Sequence, residues 1–117
     1  MSYDIWITDE EGNTLTSDEL LQMRGGTYAV GGTHEATLNI TYNYGVLYRK
    51  VFGRFGIRSL YGKTGREAIP LLEAAIARLG TKRSPNYWDA TSGNAGAALA
   101  DLLVLCRMFP DGRIEGD

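Results

Sequence analysis

The stretch TLNITYNYGVLYRKVFGRF, residues 37–55, changes its period midway, and that change decides the fold class. From Thr37 to Tyr44 the residues alternate. Leu38, Ile40, Tyr42 and Tyr44 share one side, and Thr37, Asn39, Thr41 and Asn43 share the other, which is the period of a strand. From Val46 to Phe55 the apolar residues recur at helical spacing, with Tyr48, Phe52 and Phe55 on one stripe and Leu47 with Val51 beside it. Gly53 and Gly56 close that helix. Phe52 and Phe55 are expected in the core.

Upstream the signals are extended. Tyr3, Ile5 and Ile7 alternate with Asp4, Trp6 and Thr8, and Glu11-Gly12-Asn13 turns the chain. Thr16 to Met23 fits a short helix or a second extended piece, and Ser17 followed by Asp18-Glu19 resembles a helix start. The doubled glycines of Arg24 to Thr33 mark a glycine-flanked strand or a loop of close backbone approach.

Downstream the signals are helical. Thr64-Gly65-Arg66-Glu67 is a capping box. The helix behind it carries Ile69, Leu72, Ile76 and Leu79, with Gly80 as its stop and Pro70 predicting a kink or restart. A third helix is expected over Asn94 to Met108, with Leu99, Leu102, Leu103 and Cys106 as its apolar stripe. Pro110-Asp111-Gly112 turns the chain towards a short edge strand at Arg113 to Glu115. Strands followed by helices predict an α+β fold: a small antiparallel sheet from the N-terminal half packed on about three helices of the C-terminal half. A length of 117 residues favours a single domain, 1–117.

Composition excludes several classes. Hydrophobic content of 44% and charged content of 22% are those of a globular chain. The one cysteine forbids an internal disulfide and fits a reducing compartment. The sequence has no long apolar run and no leader pattern, so no membrane role and a cytoplasmic location are expected. A net charge of −2 argues against binding long nucleic acid. The charge is segregated, however. Residues 1–19 hold Asp4, Asp9, Glu10, Glu11, Asp18 and Glu19 and no base, whereas residues 36–66 hold no acid but carry Arg49, Lys50, Arg54, Arg58, Lys63 and Arg66. Half of the twelve basic residues thus lie in one segment, which makes a local positive field or is neutralised by the acidic N-terminus.

No motif for chemistry stands out. Gly62-Lys63-Thr64 is not a phosphate-binding P-loop, because position 57, where that loop needs glycine, is Ile57. Lone His34 and lone Cys106 cannot build a metal site, and Cys106 on an apolar stripe reads as an inert thiol. No cofactor is expected, and no carboxylate pair stands out for acid–base work. The remaining signal is the interleaving of Tyr42, Tyr44, Tyr48, Phe52, Phe55 and Tyr61 with the basic run. Aromatic faces stack on bases, and cations hold phosphates. Tyr87-Trp88 in a polar loop adds contact-prone aromatics.

The strings RGGTYAVGGT (24–33), NITYNY (39–44), GIRSLYGKTG (56–65), YWDATSGN (87–94) and PDG (110–112) make the chain similar to a widespread set of small phage and prophage proteins. Residues 44–50 and 81–86 depart from that pattern, so Arg49, Lys50 and Lys82 are left out of the expected site. The resemblance implies a viral origin, host-cell cytoplasm and a job suited to a small protein without enzyme motifs. That job is sequestering a nucleotide immune second messenger, cyclic or linear, without cleaving it. The expected ligand set is Arg58, Lys63 and Thr64 on phosphates, Tyr44, Tyr61 and Trp88 stacking, and Asn39, Thr41 and Asn43 on base or ribose edges. A homodimer or higher homo-oligomer would enclose such a ligand. The alternatives are an inhibitor that binds a host or phage enzyme, such as a defence nuclease, through the acidic N-terminal face, and a small hydrolase.

Overall fold

The structure, a computed structural model, describes residues 1–21 and 32–117. The alternating segment at the N-terminus forms β1 (Ser2–Thr8), the centre of a three-stranded antiparallel sheet. β4 (Thr37–Thr41) pairs along one side of it, from Ser2 opposite Thr41 to Trp6 opposite Thr37. β5 (Arg113–Gly116) pairs along the other, from Ile5 opposite Gly116 to Thr8 opposite Arg113. The alternation does what its period requires. Tyr3, Ile5, Ile7, Leu38, Ile40 and Ile114 are buried together, while Asp4 stays exposed and Trp6, Thr37 and Asn39 are half-exposed on the other face.

β2 (Thr16–Leu21) and β3 (Thr33–Glu35) form a separate two-stranded sheet. Of the two readings open for this segment, Thr16 to Leu21 takes the extended one and not the short helix. The Ser17 hydroxyl still accepts the Glu19 N–H, but no apolar stripe follows to reward a helix, and pairing with β3 wins. The reading of residues 24–31 lies outside the described residues.

The strand of residues 37–44 ends early, at Thr41. Its hydroxyl accepts the Asn43 N–H at 3.2 Å and starts a 3₁₀ turn, Tyr42–Tyr44, that runs into α1 (Gly45–Phe52). Tyr44 is thereby swung into the core, and Gly45 is needed because a Cβ there would sit 2.8 Å from the Tyr3 hydroxyl. Gly53 (φ +94°) ends α1 before Phe55 is reached. Phe55 is 68% exposed, so it is not a core residue; it lies beyond the helix, and Arg54 stacks over its ring instead.

A second 3₁₀ turn, Gly56–Leu60, leads to α2 (Gly65–Leu79). Both halves of the Thr64–Glu67 capping box are formed, and Gly80 caps the other end. α2 continues through Pro70 without a break, since the one ladder bond lost there lies on the exposed side. α3 (Ser92–Met108) starts at the Thr91 cap and packs antiparallel to α2 under the sheet, buried almost all round from Gly93 to Leu99. One hydrophobic cluster runs from Tyr3 to Ile114 through sheet and helices, so the α+β architecture expected from the order of elements is the one observed.

Candidate functional site

The nine residues expected to converge on one ligand fall into four places. Asn39 stands on the outer sheet face, where its amide donates to Ser2 Oγ at 2.7 Å and to the Asp4 carboxylate directly across the register.

Thr41, Asn43, Tyr44 and Trp88 do come together, but mainly to hold a loop. Residues 81–91 join α2 to α3 and carry Tyr87 and Trp88. The Thr41 N–H donates to the Tyr87 hydroxyl at 3.0 Å, the Tyr44 hydroxyl donates to the Tyr87 carbonyl, and the Asn43 amide donates to the Trp88 carbonyl at 3.0 Å. Tyr87 meets the Tyr44 ring edge-on at 5.6 Å, and burial pushes the Tyr44 hydroxyl pKa up to about 12. Residues read as base-edge contacts are thus the clamp that fixes this loop.

The inner side of the loop is fastened by a residue that sequence reading missed. Asn94, 4% exposed in the first turn of α3, accepts the Ser84 N–H at 2.8 Å. Its amide nitrogen donates to Ser84 Oγ, the Asn86 carbonyl and the Asp89 carbonyl at 2.9–3.0 Å. Trp88 is left 50% exposed on this doubly held loop, its ring edge-on to Tyr87 at 5.0 Å.

Arg58 and Tyr61 form a third place, with Tyr3 and Tyr42. The Arg58 guanidinium lies 5.0 Å from the Tyr3 ring centroid and 5.5 Å from that of Tyr42. Its Nε donates to the Asp117 carbonyl at 3.0 Å and its Nη2 to the Tyr42 hydroxyl at 3.2 Å. The Tyr61 ring is packed on Gly116, its buried hydroxyl has no hydrogen-bond partner among the described residues, and burial raises its pKa. The aromatic–basic interleaving here builds a stack that anchors the end of β5.

Lys63 and Thr64 make the fourth place, at the start of α2. The Thr64 hydroxyl accepts the Glu67 N–H, and the Glu67 carboxylate accepts the Thr64 N–H at 2.9 Å, which holds that carboxyl below its ordinary range. Thr64 also borders a hollow rimmed by Asp9, Glu10, Asp111 and Glu115, the wrong sign for a phosphate. Nor does the acidic N-terminus neutralise the basic run among the described residues; Arg66 pairs with Asp111 at 2.9 Å.

A better setting for an anion lies under the loop. A groove of about 450 Å³ is lined by Leu79 to Pro85 and by Thr91, Ser92 and Gly93. The residues around it include Lys82, Arg83, Thr81, Ser84, Thr91 and Ser92 and no acidic residue, although the Ser84 hydroxyl is already donated to the Asn86 carbonyl at 2.8 Å. It opens at the N-terminus of α3, where the helix dipole favours negative charge. Arg83 forms an ion pair with Asp101 at 3.7 Å. Residues 81–85, part of the segment left out of the expected site because it departs from the pattern of the resemblance, form this groove because Gly93 and Gly96 let the chain at 80–82 cross directly against α3.

The other residues weighed for chemistry are occupied. Cys106 is fully buried, which pushes its thiol up to about 12, and exposed His34 faces the Ser17 and Glu19 carbonyls with Nδ1. Among the described residues no helix is long and apolar enough to cross a membrane. No family model matches the chain, and no curated protein or solved structure matches it.

Proposed function

We propose that this protein binds a small anionic ligand of the nucleotide class in the groove between residues 79–85 and 91–93, and sequesters it without chemistry. The observation that carries the reading is the set of residues around that groove: Lys82 and Arg83 with Thr81, Thr91 and Ser92 and no acidic residue, at the positive end of a 17-residue helix. Lys82 and Arg83 hold phosphate, Ser92 donates from the wall, and Trp88 offers a half-exposed face on the same loop for a base. The groove is large enough for a mononucleotide or part of a cyclic oligonucleotide. The clamping of the loop from both sides supports tight binding, because little ordering remains to be done when ligand enters. The likeness to small phage proteins extends the proposal to its biological form, removal of a nucleotide immune signal in a host cell. A second copy closing the open side would complete the enclosure.

Calorimetry of the full chain against cyclic mono-, di- and trinucleotides, ATP and inorganic phosphate tests the reading. One nucleotide is expected to bind with a thermal shift and to be recovered intact. Lys82→Ala, Arg83→Gln and Trp88→Ala should each weaken it at least tenfold, while Arg58→Gln should not. Absence of heat and thermal shift with every nucleotide would remove the proposal.

A further inference from the structure

The opposite end of α3 carries a surface of the other sign. Because Thr8 pairs with Arg113, the turn that leaves β1 and the turn that enters β5 lie side by side. The first, Asp9–Asn13, is fixed by the Asp9 carboxylate, which accepts the Glu11 and Asn13 N–H groups at 2.9 Å. The second, Phe109–Gly112, is closed by the Gly112 N–H on the Phe109 carbonyl, and Gly112 packs against Ile7 and Leu15 with no room for a Cβ. Between the turns lies a hollow of about 360 Å³. Leu15, Met108, Phe109 and Pro110 line it, and Asp9, Glu10 and Asp111 rim it. A polar hollow that shares those three acids continues past Thr8, Thr64 and Arg113 to Glu115.

We infer that this double hollow docks a cationic segment of another protein, one large apolar side chain entering between Leu15 and Phe109 and flanking lysines or arginines meeting Asp9, Glu10, Asp111 and Glu115. The charge census favours that occupant. Four carboxylates face the hollows, against Arg113, whose guanidinium is engaged on the Gly62 carbonyl, and Arg66, whose pair with Asp111 is exposed on both sides (68% and 88%) and so screened by water. The other occupants fit less well. Among the described residues no three His, Cys, Asp or Glu side chains could hold a metal ion. A second copy meeting this face symmetrically would set acid against acid. A second copy offering its basic 49–66 run instead would make a heterologous contact, which ends in a ring or a filament and would show as concentration-dependent assembly. The surface is separate from the groove of the proposed function and does not depend on it.

The test is titration of the ¹⁵N-labelled full chain with three capped pentapeptides: KKFKK, KKSKK and EEFEE. KKFKK is expected to give saturable shifts at Glu10, Leu15, Phe109, Asp111 and Gly112, at least tenfold tighter than KKSKK, with no saturable response to EEFEE. Glu10→Lys with Asp111→Lys should weaken KKFKK at least tenfold; Glu10→Gln with Asp111→Asn serves if the charge reversals do not fold. Equal affinity for KKFKK and KKSKK would overturn the inference, as would shifts spread equally to Asp18 and Glu19. Concentration-dependent shifts at the same residues without peptide would assign the face to a second copy and overturn it too.

Discussion

Asn94→Ala tests whether one buried amide organises the candidate site. The side chain is 4% exposed and joins Ser84, Asn86 and Asp89 through one accepted and three donated hydrogen bonds of 2.8–3.0 Å. At about 1 kcal/mol net for each bond the sum approaches 4 kcal/mol. Two amide hydrogens shared among three acceptors make one bond weak, and the freed loop groups can meet water, so the expected loss is about 2–3 kcal/mol. For a chain of this length that lowers the melting temperature by about 10 °C. Urea unfolding followed by circular dichroism gives the first number. Amide exchange over residues 84–91 and the emission of Trp88 give the second reading, because the damage should be local: faster exchange in the loop, a red-shifted Trp88, and the sheet unchanged. Asn94→Asp sharpens the case. It keeps the acceptor for the Ser84 N–H but sets a carboxylate against the Asn86 and Asp89 carbonyls. Its folded pKa is therefore raised, and its stability relative to the parent should be lost as pH rises above about 4 and regained in acid. A melting temperature for Asn94→Ala within about 2 °C of the parent, with loop exchange unaltered, would refute the role assigned to this amide.

Gly96→Ala should cost more than about 3 kcal/mol or prevent folding, since its Cβ overlaps the Gly80 carbonyl oxygen, backbone that cannot move aside; a normal melt would contradict the crossing. Cys106 should ignore Ellman's reagent in the native protein at pH 8 and react only on unfolding, because burial holds its thiol protonated to about pH 12. Since unfolded Cys and Tyr release protons near about 8.5 and 10 while folded Cys106 and Tyr44 hold them to about 12, stability should fall as pH rises above about 8.5. Cys106→Ala should flatten the first part of that decline in urea titrations at pH 7 to 10. Thr64→Ala should cost about 1 kcal/mol at neutral pH. The Glu67 carboxyl, held below its ordinary range by Thr64, contributes above the unfolded value of about 4.3 and loses that contribution as pH falls through its folded value, so the penalty should shrink in acid melts.

What could be read from the chain was whatever depends on neighbours in sequence. The alternation of Tyr3, Ile5 and Ile7, the Thr64–Glu67 box, the Gly80 stop and the Leu99–Cys106 stripe are local patterns, and each became the element it described. The misreadings came where a distant partner decides. Thr41-Tyr42-Asn43-Tyr44 continues the strand alternation perfectly well, yet Thr41 serves as a cap and Tyr44 turns inward to meet Tyr87, more than forty residues later. Ser17-Asp18-Glu19 left helix and strand both open, and pairing with β3 decides for the strand. Asn94 has no local signal at all: a polar residue in a first helical turn reads as solvent-facing, and only the returning loop makes it a core group. The basic run was seen, but its convergence was not decided by spacing, and Arg58 found tyrosines from two strands' ends where a phosphate had been expected.

The two surfaces argued above are the two ends of one helix. α3 has 17 residues and so spans about 25 Å, with the Lys82–Arg83 groove at its Ser92 end and the acidic hollow at its Met108 end. Its peptide dipoles place about half a positive charge at the first end and half a negative charge at the second. Side-chain charge therefore adds to the dipole at both ends, anion-seeking at Lys82 and cation-seeking at Asp111, on a protein whose net charge is only −2. Segregation of this kind opposes self-neutralisation, and it persists here because α3 is buried along most of its length and the charged turns at its ends are tied down separately, one by Asn94 and the other by Asp9 and Gly112. At about 25 Å, beyond a physiological Debye length of about 8 Å, substitutions at one end leave the other electrostatically undisturbed, so Lys82→Ala and Glu10→Lys should act independently in any binding assay that registers both.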